Sequence, residues 1–359
     1  MPPSSPDLAA VNAVLADFSD PESGRGIVKM GQVRDVDLSG TTLRLTLGLT
    51  TYVAPLWEET QKELKESLAA RLPGLSEIQI KLVEEHRPPQ KLGQVGVTAK
   101  SVIAVASGKG GVGKSTIAAS IALGLARSGC HIGLMDADVY GPSIPHLLGL
   151  QGRAEVVDKK LKPMEVHGVK VMSMGFLVPA DEPVIWRGPM LHGAITNFLR
   201  DTDWGNLDYL IIDMPPGTGD IALTLSQLLP LSGAVIVCTP QDVALLDAVK
   251  ALMMYRKVNI PVLGIVENMS FFLCPDNNQR YDIFGSGGAR RRAEQLGVPF
   301  LGEVPLQIPI RIHGDEGKTA ANFDDPAAAP YLKAICHRIV ANMARQNRAQ
   351  PPLPKLSVL

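Results

Sequence analysis

Gly108, Lys109, Gly110, Gly111, Val112, Gly113, Lys114, Ser115 and Thr116 follow one another, and no other stretch restricts so strongly what this chain can fold into. They match Gly-x-x-x-x-Gly-Lys-[Ser/Thr], a phosphate-binding loop whose glycines let backbone N–H groups curl around an anion. The flanks agree with this. Residues 102–106 (Val-Ile-Ala-Val-Ala) suit a buried strand, and residues 117–127, rich in Ala, Leu and Ile, have helical spacing. Strand, glycine loop and helix together aim a helix N-terminus at the bound phosphate. Lys114 is then placed to reach the outer phosphates, and the Ser115 hydroxyl to ligate Mg²⁺.

From residue 100 onward, apolar runs of strand length alternate with helical stretches. That alternation predicts an α/β fold with a mostly parallel, doubly wound sheet. Strands are expected at 131–135, 169–174, 208–212, 234–239 and 263–266, with a last one ending in 302–306. A helix is expected at 331–343, where Leu332, Ile335, Cys336, Ile339 and Met343 form one stripe, and it is expected to pack on its own domain. Asp136 and Asp138 stand just past one strand and Asp213 just past another, at the edge where open α/β sheets bind ligands. Asp213, after four apolar strand residues, suits a carboxylate that holds Mg²⁺ through water. Asp136 suits the metal's water shell, and Asp138 the orientation of an attacking water. Helix capping is the plainer alternative for both. Residues 217–220 (Gly-Thr-Gly-Asp) form a loop able to move with a terminal phosphate.

A small α+β unit comes first, at 7–86. A helix is expected at 8–18, strands at 27–36 and 42–49, a helix at 55–72 and a strand at 78–83. Residues 87–99, with Pro88-Pro89 and several glycines, read as a linker. The nucleotide-binding domain is expected at 100–345 and a Pro-rich tail at 346–359.

Lys109, directly after the first glycine, goes beyond an ordinary loop. With it, Lys-Gly-Gly-Val-Gly-Lys-Ser resembles the deviant Walker A motif of the MinD-like P-loop ATPases. Asp-Ala-Asp-Val-Tyr-Gly-Pro-Ser from 136, Val-Ile-Trp-Arg-Gly-Pro-Met from 184 and Glu-Asn-Met-Ser from 267 resemble the Mrp/ApbC branch of that class. The resemblance implies a P-loop NTPase that hydrolyses ATP with Mg²⁺ as a face-to-face homodimer. It implies that Lys109 reaches the partner subunit's nucleotide, and that Lys109, Lys114 and Asp138 are catalytic. It places Asn268 on the adenine, with Pro305 close by. Trp186 and Arg187 belong either to the dimer face or to a packed loop. The implied role is to carry iron–sulfur clusters to apoproteins, alongside assembly factors. In the first domain, Asp20-Pro-Glu-Ser-Gly, Ile27-Val28 with Gly31, and Leu49-Thr-Thr resemble the small MIP-type iron–sulfur assembly domain.

Two departures stand out. The branch carries Cys-Pro-x-Cys where this chain has Cys274-Pro-Asp-Asn277, and its paired thiolates hold a [4Fe–4S] cluster across the dimer. One thiolate per subunit leaves two per dimer. Either another group or a small thiol completes the set around Cys274, or Cys274 is a free thiol and the ATPase serves a cluster held elsewhere. The first domain's Thr-Thr stretch runs into Tyr52-Val53-Ala54-Pro55 where its relatives have Cys-Pro. Cys130, Cys238 and Cys336 read as structural, and with no Cys-x-x-Cys there is no disulfide framework.

The rival class is a nucleotide-switched regulator that binds membrane or DNA, as MinD and partition proteins do. A net charge of −1 supplies no field for nucleic acid, so Arg290-Arg291-Arg292 read as a solvated helix face. No apolar run reaches the ~18 residues of a spanning helix. Residues 1–6 lack the apolar core of a signal peptide, and the expected place is the cytoplasm. Neither nucleic acid nor membrane is an expected partner.

Overall fold

The computed structural model describes residues 7–138, 141–176, 188–217, 219–277 and 279–349. Expectations on Val139, Tyr140, Trp186, Arg187, Thr218 and 350–359 fall outside the described residues. Two compact units form, one from residues up to 87 together with those from 340, the other from 88–339.

The first unit holds helix α1 (Leu8–Asp17), strands β1 (Val33–Ser39) and β2 (Thr42–Leu49), helix α2 (Trp57–Arg71) and strand β3 (Glu77–Glu84). Asp7 caps α1 by accepting from Ala10 N at 2.7 Å. β2 buries Leu43, Leu45 and Leu47 in alternation, and α2 buries Leu64 and Leu68 one turn apart, so the core lies between helix and sheet. The strand expected at 27–36 begins only at Val33. Residues 26–31 close as turns instead, with Met30 N donating to Gly26 O and Gly31 N to Val28 O. Pro55 has no N–H for an α-helical ladder, and a 3₁₀ turn (Thr51–Leu56) precedes α2.

Asp20 is fully buried and accepts from Ser23 Oγ (2.6 Å), Gln32 Nε2 (3.1 Å) and an Arg87 guanidinium N–H (3.1 Å). Burial pushes its carboxyl up, but Ser23, Arg87 and Gln32 outweigh this and hold it below the usual carboxylate range. A depressed folded value means stability that is present above the unfolded value, near 3.9, and lost as pH falls through the folded one. Asp20→Asn should therefore lower the melting temperature of this unit at pH 7 and change it far less near pH 3. Calorimetric melts of the full chain at both pH values check this.

In the second unit, β4 (Gln90–Leu92) precedes β5 (Val97–Ser107), α3 (Lys114–Arg127), β6 (Ile132–Asp136) and the short α4 (Ile144–Leu147). A hairpin of β7 (Glu155–Val157) and β8 (Lys160–Lys162) leads to β9 (Met164–Val166) and β10 (Val169–Ser173). Then follow α5 (Gly188–Asp201), β11 (Leu207–Asp213), α6 (Gly219–Leu228), β12 (Gly233–Cys238) and α7 (Asp242–Lys257). The chain continues through β13 (Val262–Leu273), β14 (Arg280–Tyr281), α8 (Gly288–Leu296), β15 (Phe300–Leu306), α9 (Ile308–Asp315) and α10 (Ala329–Ala349). Among the described residues all of these strands but the β7–β8 hairpin make a ten-stranded sheet. β15, β13, β12, β5, β11, β6 and β10 lie side by side and parallel, with β9 and β14 antiparallel toward the two sides and β4 antiparallel on the N-terminal end of the central β5. The α/β doubly wound expectation therefore holds.

The chain leaves β5 for β6 and β10, returns to fill β11, then crosses to β12. The C-terminal end of β5 is thus a switch point, where an open sheet leaves a crevice for a ligand. Three details differ from expectation. The stretch expected as a linker carries β4, which pairs antiparallel with β5 (Gln90↔Ala99, Leu92↔Val97). β13 runs through Glu267-Asn268-Met269-Ser270 rather than ending before it, and a register break between Asn268 and Phe272, with Met269 at φ 54°, accommodates it. The C-terminal helix does not pack wholly with the second unit. From Val340 it groups with the first, where Asn347 Nδ2 donates to Glu22 O at 2.8 Å. No described helix is long and apolar enough to cross a membrane.

Candidate nucleotide site

The glycine loop sits between β5 and α3 at the switch point. Gly113 precedes the first helical residue, Lys114, with φ 79°. A Cβ there would lie 2.2 Å from Asn268 Nδ2, which itself donates to Val112 O at 2.9 Å. Gly113→Ala would meet both a left-handed backbone and that collision. A left-handed alanine alone costs about 1–2 kcal/mol, so a lower melting temperature and a displaced Asn268 are expected. Thermal melts and a crystal structure of the variant check this. Gly108 is as tightly placed, since a Cβ there would lie 2.2 Å from the Asp247 backbone of α7. Ser107 Oγ donates to Lys109 O (2.9 Å), and Gly217 N donates to Ser107 O (3.0 Å), tying this loop to the one after β11.

Asp136 and Asp213 are register partners at the ends of β6 and β11, and both are fully buried. Lys114 Nζ donates to Asp213 Oδ1 at 2.6 Å and to Ser115 Oγ at 3.2 Å. Among the described residues, Asp213 Oδ2 is buried and has no hydrogen-bond partner. Asp136 Oδ1 accepts from Asp138 N (3.1 Å), and its Oδ2 accepts from Ser173 Oγ (3.0 Å) and Ile144 N (3.2 Å). Burial and then the Asp213 charge push Asp136 up. Burial pushes Asp213 up too, against Lys114 and Ser115, and the Asp138 charge adds to that. Two adjacent buried carboxylates beside a single lysine oppose each other's ionisation, and further positive charge there would favour both charged forms. The orphaned Asp213 oxygen, close to a hydroxyl, fits a hard divalent cation such as Mg²⁺.

Beside the loop lies a cavity of about 390 Å³, lined among others by Gly113, Thr116, Asn268, Pro305, His146 and Arg311. Thr116, Asn268 and Pro305 are thus brought together. His146 and Arg311 were not foreseen, and neither were Ser173 and Ile144 N behind Asp136. Nothing local in the sequence marks them, because sheet order and register decide which side chains meet. Lys109 is half-buried and forms no ion pair among the described residues. Asp138 is 9% exposed.

Cys274 is not part of this cluster. It opens the turn between β13 and β14, half-buried, with its N–H donating to Gln279 O at 3.0 Å. Cys130, Cys238 and Cys336 are buried. Burial pushes the Cys336 thiol to about 12, and burial with the Glu267 charge does the same to Cys238, so both remain neutral thiols. Among the described residues no group of three His, Cys, Asp or Glu side chains forms a metal cage.

A parallel strand that feeds a glycine loop into a helix N-terminus, with the loop lysine on the carboxylate of the adjacent strand, defines a P-loop nucleotide-binding protein. Residues 98–340 match the family described as NUBPL iron-transfer P-loop NTPase, and residues 8–82 match iron–sulfur cluster assembly protein. The chain belongs to the NUBPL iron-transfer P-loop NTPase family. It is 45% identical over 347 residues to the iron–sulfur cluster carrier protein of Deinococcus radiodurans, covering 96% of this chain and 97% of that one. A nucleotide-binding protein of Archaeoglobus fulgidus, solved in complex with ADP, is 42% identical with a TM-score of 0.57, over 64% of this chain and 90% of that one. The cell division ATPase MinD of Pyrococcus furiosus, at 21% identity and a TM-score of 0.50, covers 67% of this chain and 98% of that one and shares the fold.

Proposed function

We propose that this chain is an ATP-hydrolysing homodimer that carries iron–sulfur clusters to apoproteins. The observation that carries the nucleotide half is the Lys114–Asp213–Asp136 arrangement at the mouth of the loop, with the cavity beside it. Family membership supports the cluster half. Loop N–H groups from 108–116 and Lys114 would hold the phosphates. Asn268, with one amide proton on Val112 O, keeps its other proton and its carbonyl for a purine edge, and Pro305 flanks it. Ser115, Asp213 and Asp136 would hold Mg²⁺ directly or through water, and when bound it neutralises charge on the outer phosphate oxygens. Asp138 would orient the water. The water's oxygen bonds to the γ-phosphorus while the bond from that phosphorus to the bridging oxygen of ADP breaks, and the proton that the water loses passes to a phosphate oxygen or to solvent. Lys109, supplied across the dimer, would stabilise the charge that develops during this step.

The cluster is cargo, and Cys274 is its candidate thiolate ligand. It is the one cysteine of the four that is not buried. Anaerobic reconstitution with iron and sulfide tests this, with visible absorption and iron per dimer recorded for the wild type and Cys274→Ala. A cluster in the wild type that is lost in the variant is expected. No cluster in either would remove the carrying role and leave an ATPase that serves a partner's cluster.

A further inference from the structure

The three-stranded sheet of the first unit ends on β3, whose one paired strand among the described residues is β2. All eight residues of β3 pair with β2 without a register shift, so its outer side is a straight, unbroken edge. The other edge is spoiled for pairing. The β1 ladder slips between Arg34 and Asp37, and Asp35 takes a φ of 53°.

Backbone groups of successive strand residues point to alternate sides, so one side can be assigned from a single bond. Ile80 O faces away from β2, because it accepts from Gln61 Nε2 of α2 at 2.6 Å. Ile78 and Leu82 share that side. A side-chain amide on an edge carbonyl occupies the place that a peptide N–H would take. Along this edge runs a groove of about 490 Å³, lined by Gln61, Lys62, Lys65, Ile78, Ile80 and Lys81 among others, with no carboxylate in its walls. All three lysines are exposed. Lys62 lies 3.8 Å from Glu66 in a solvated i,i+4 contact, which neutralises little. Lys62 and Lys65 stand on the helix side of the edge, and Lys81, which alternates with the buried Ile80, on the solvent side.

We propose that this edge docks an extended acidic segment of a partner protein, which adds a fourth strand beside β3. A row of N–H and C=O groups at strand spacing is matched by another peptide backbone. Lysines on both sides give acidic residues a partner whichever way alternate side chains point. A single-stranded nucleic acid would find phosphate partners here but no aromatic face among the lining residues on which to stack bases. The site lies within the first unit, and the proposal rests on no part of the nucleotide reading.

The test uses the full chain and a fluorescein-labelled peptide of about ten alternating Glu and Val residues, long enough for one strand. Three comparison ligands are the same peptide with alternate backbone nitrogens methylated, the peptide with Lys for Glu, and oligothymidylate. Saturable binding of the acidic peptide is expected. Methylation of the hydrogen-bonding edge, or Lys65→Glu combined with Lys81→Glu, should weaken it at least about tenfold. Both lysines are exposed, so the double variant keeps its core, and a thermal melt confirms this. Amide exchange across residues 77–84 should slow when the peptide is added. No saturation up to about 1 mM, equal binding by the methylated peptide or by oligothymidylate, or unchanged binding by the double variant would each overturn the proposal. The lysines would then serve only to keep an open edge from self-pairing.

Discussion

Lys114→Ala is expected to abolish nucleotide binding. Lys114 is 6% exposed, and its ammonium sits 2.6 Å from a fully buried carboxylate. In this position it neutralises Asp213, and within reach of a phosphate it would neutralise the ligand instead. Its removal strands Asp213 beside Asp136 with no cation, so both carboxyls move further toward the protonated form and lose their value as metal ligands. Truncating one partner of a buried charge pair costs about 2–5 kcal/mol, so ATP affinity should fall at least about 30-fold. Calorimetric titration of ATP with Mg²⁺ measures this directly. A melting curve beside it separates lost binding from lost fold. Affinity within about threefold of the wild type would take Lys114 out of the site.

Asp138→Ala should do the opposite in kind, sparing binding while stopping turnover. Its backbone N–H, not its side chain, is what holds Asp136 Oδ1, and that bond survives the substitution. The groups proposed to hold phosphate and base lie in the loop and in β13, elsewhere in the sequence. What the variant loses is the carboxylate proposed to orient water, an effect of about 10²–10⁴-fold on kcat. Single-turnover phosphate release, measured with nucleotide affinity on the same preparation, should show kcat reduced by that factor and affinity unchanged. Normal hydrolysis would overturn the role given to Asp138.

Much of the second unit was legible because its signals are periodic and local. Residues 102–106 and 209–212 are apolar throughout, as strands covered on both faces must be, and they lie in β5 and β11. Misplacements came where periodicity says little. Residues 27–31 have β-branched members, yet turn hydrogen bonds win there. Glu267 reads as a residue after a strand but lies inside β13. It is satisfied there by Ser270 Oγ at 2.6 Å and by Ala289 N, at the start of α8, at 2.7 Å. Its charge argued for a loop, but hydrogen bonds from nearby Ser270 and distant Ala289 made the buried strand position tolerable.

The sequence by itself determined the glycine loop, the strand before it and the helix after it. Their geometry depends on neighbours a few residues away: glycines free to take positive φ, a β-branched run, and a helix N-terminus with unpaired N–H groups. Tertiary structure decided the rest. It set Asp136 beside Asp213 through the β6–β11 register, carried Lys114 across 99 positions to Asp213, and carried Asn268 across 156 to Val112. It also assigned the end of α10 to the first unit and left β3 as an open edge. Each of these depends on the order of strands in a sheet or on the face to which an element packs. That order follows from burying the apolar surface of the whole chain at once, and no short window of residues contains it.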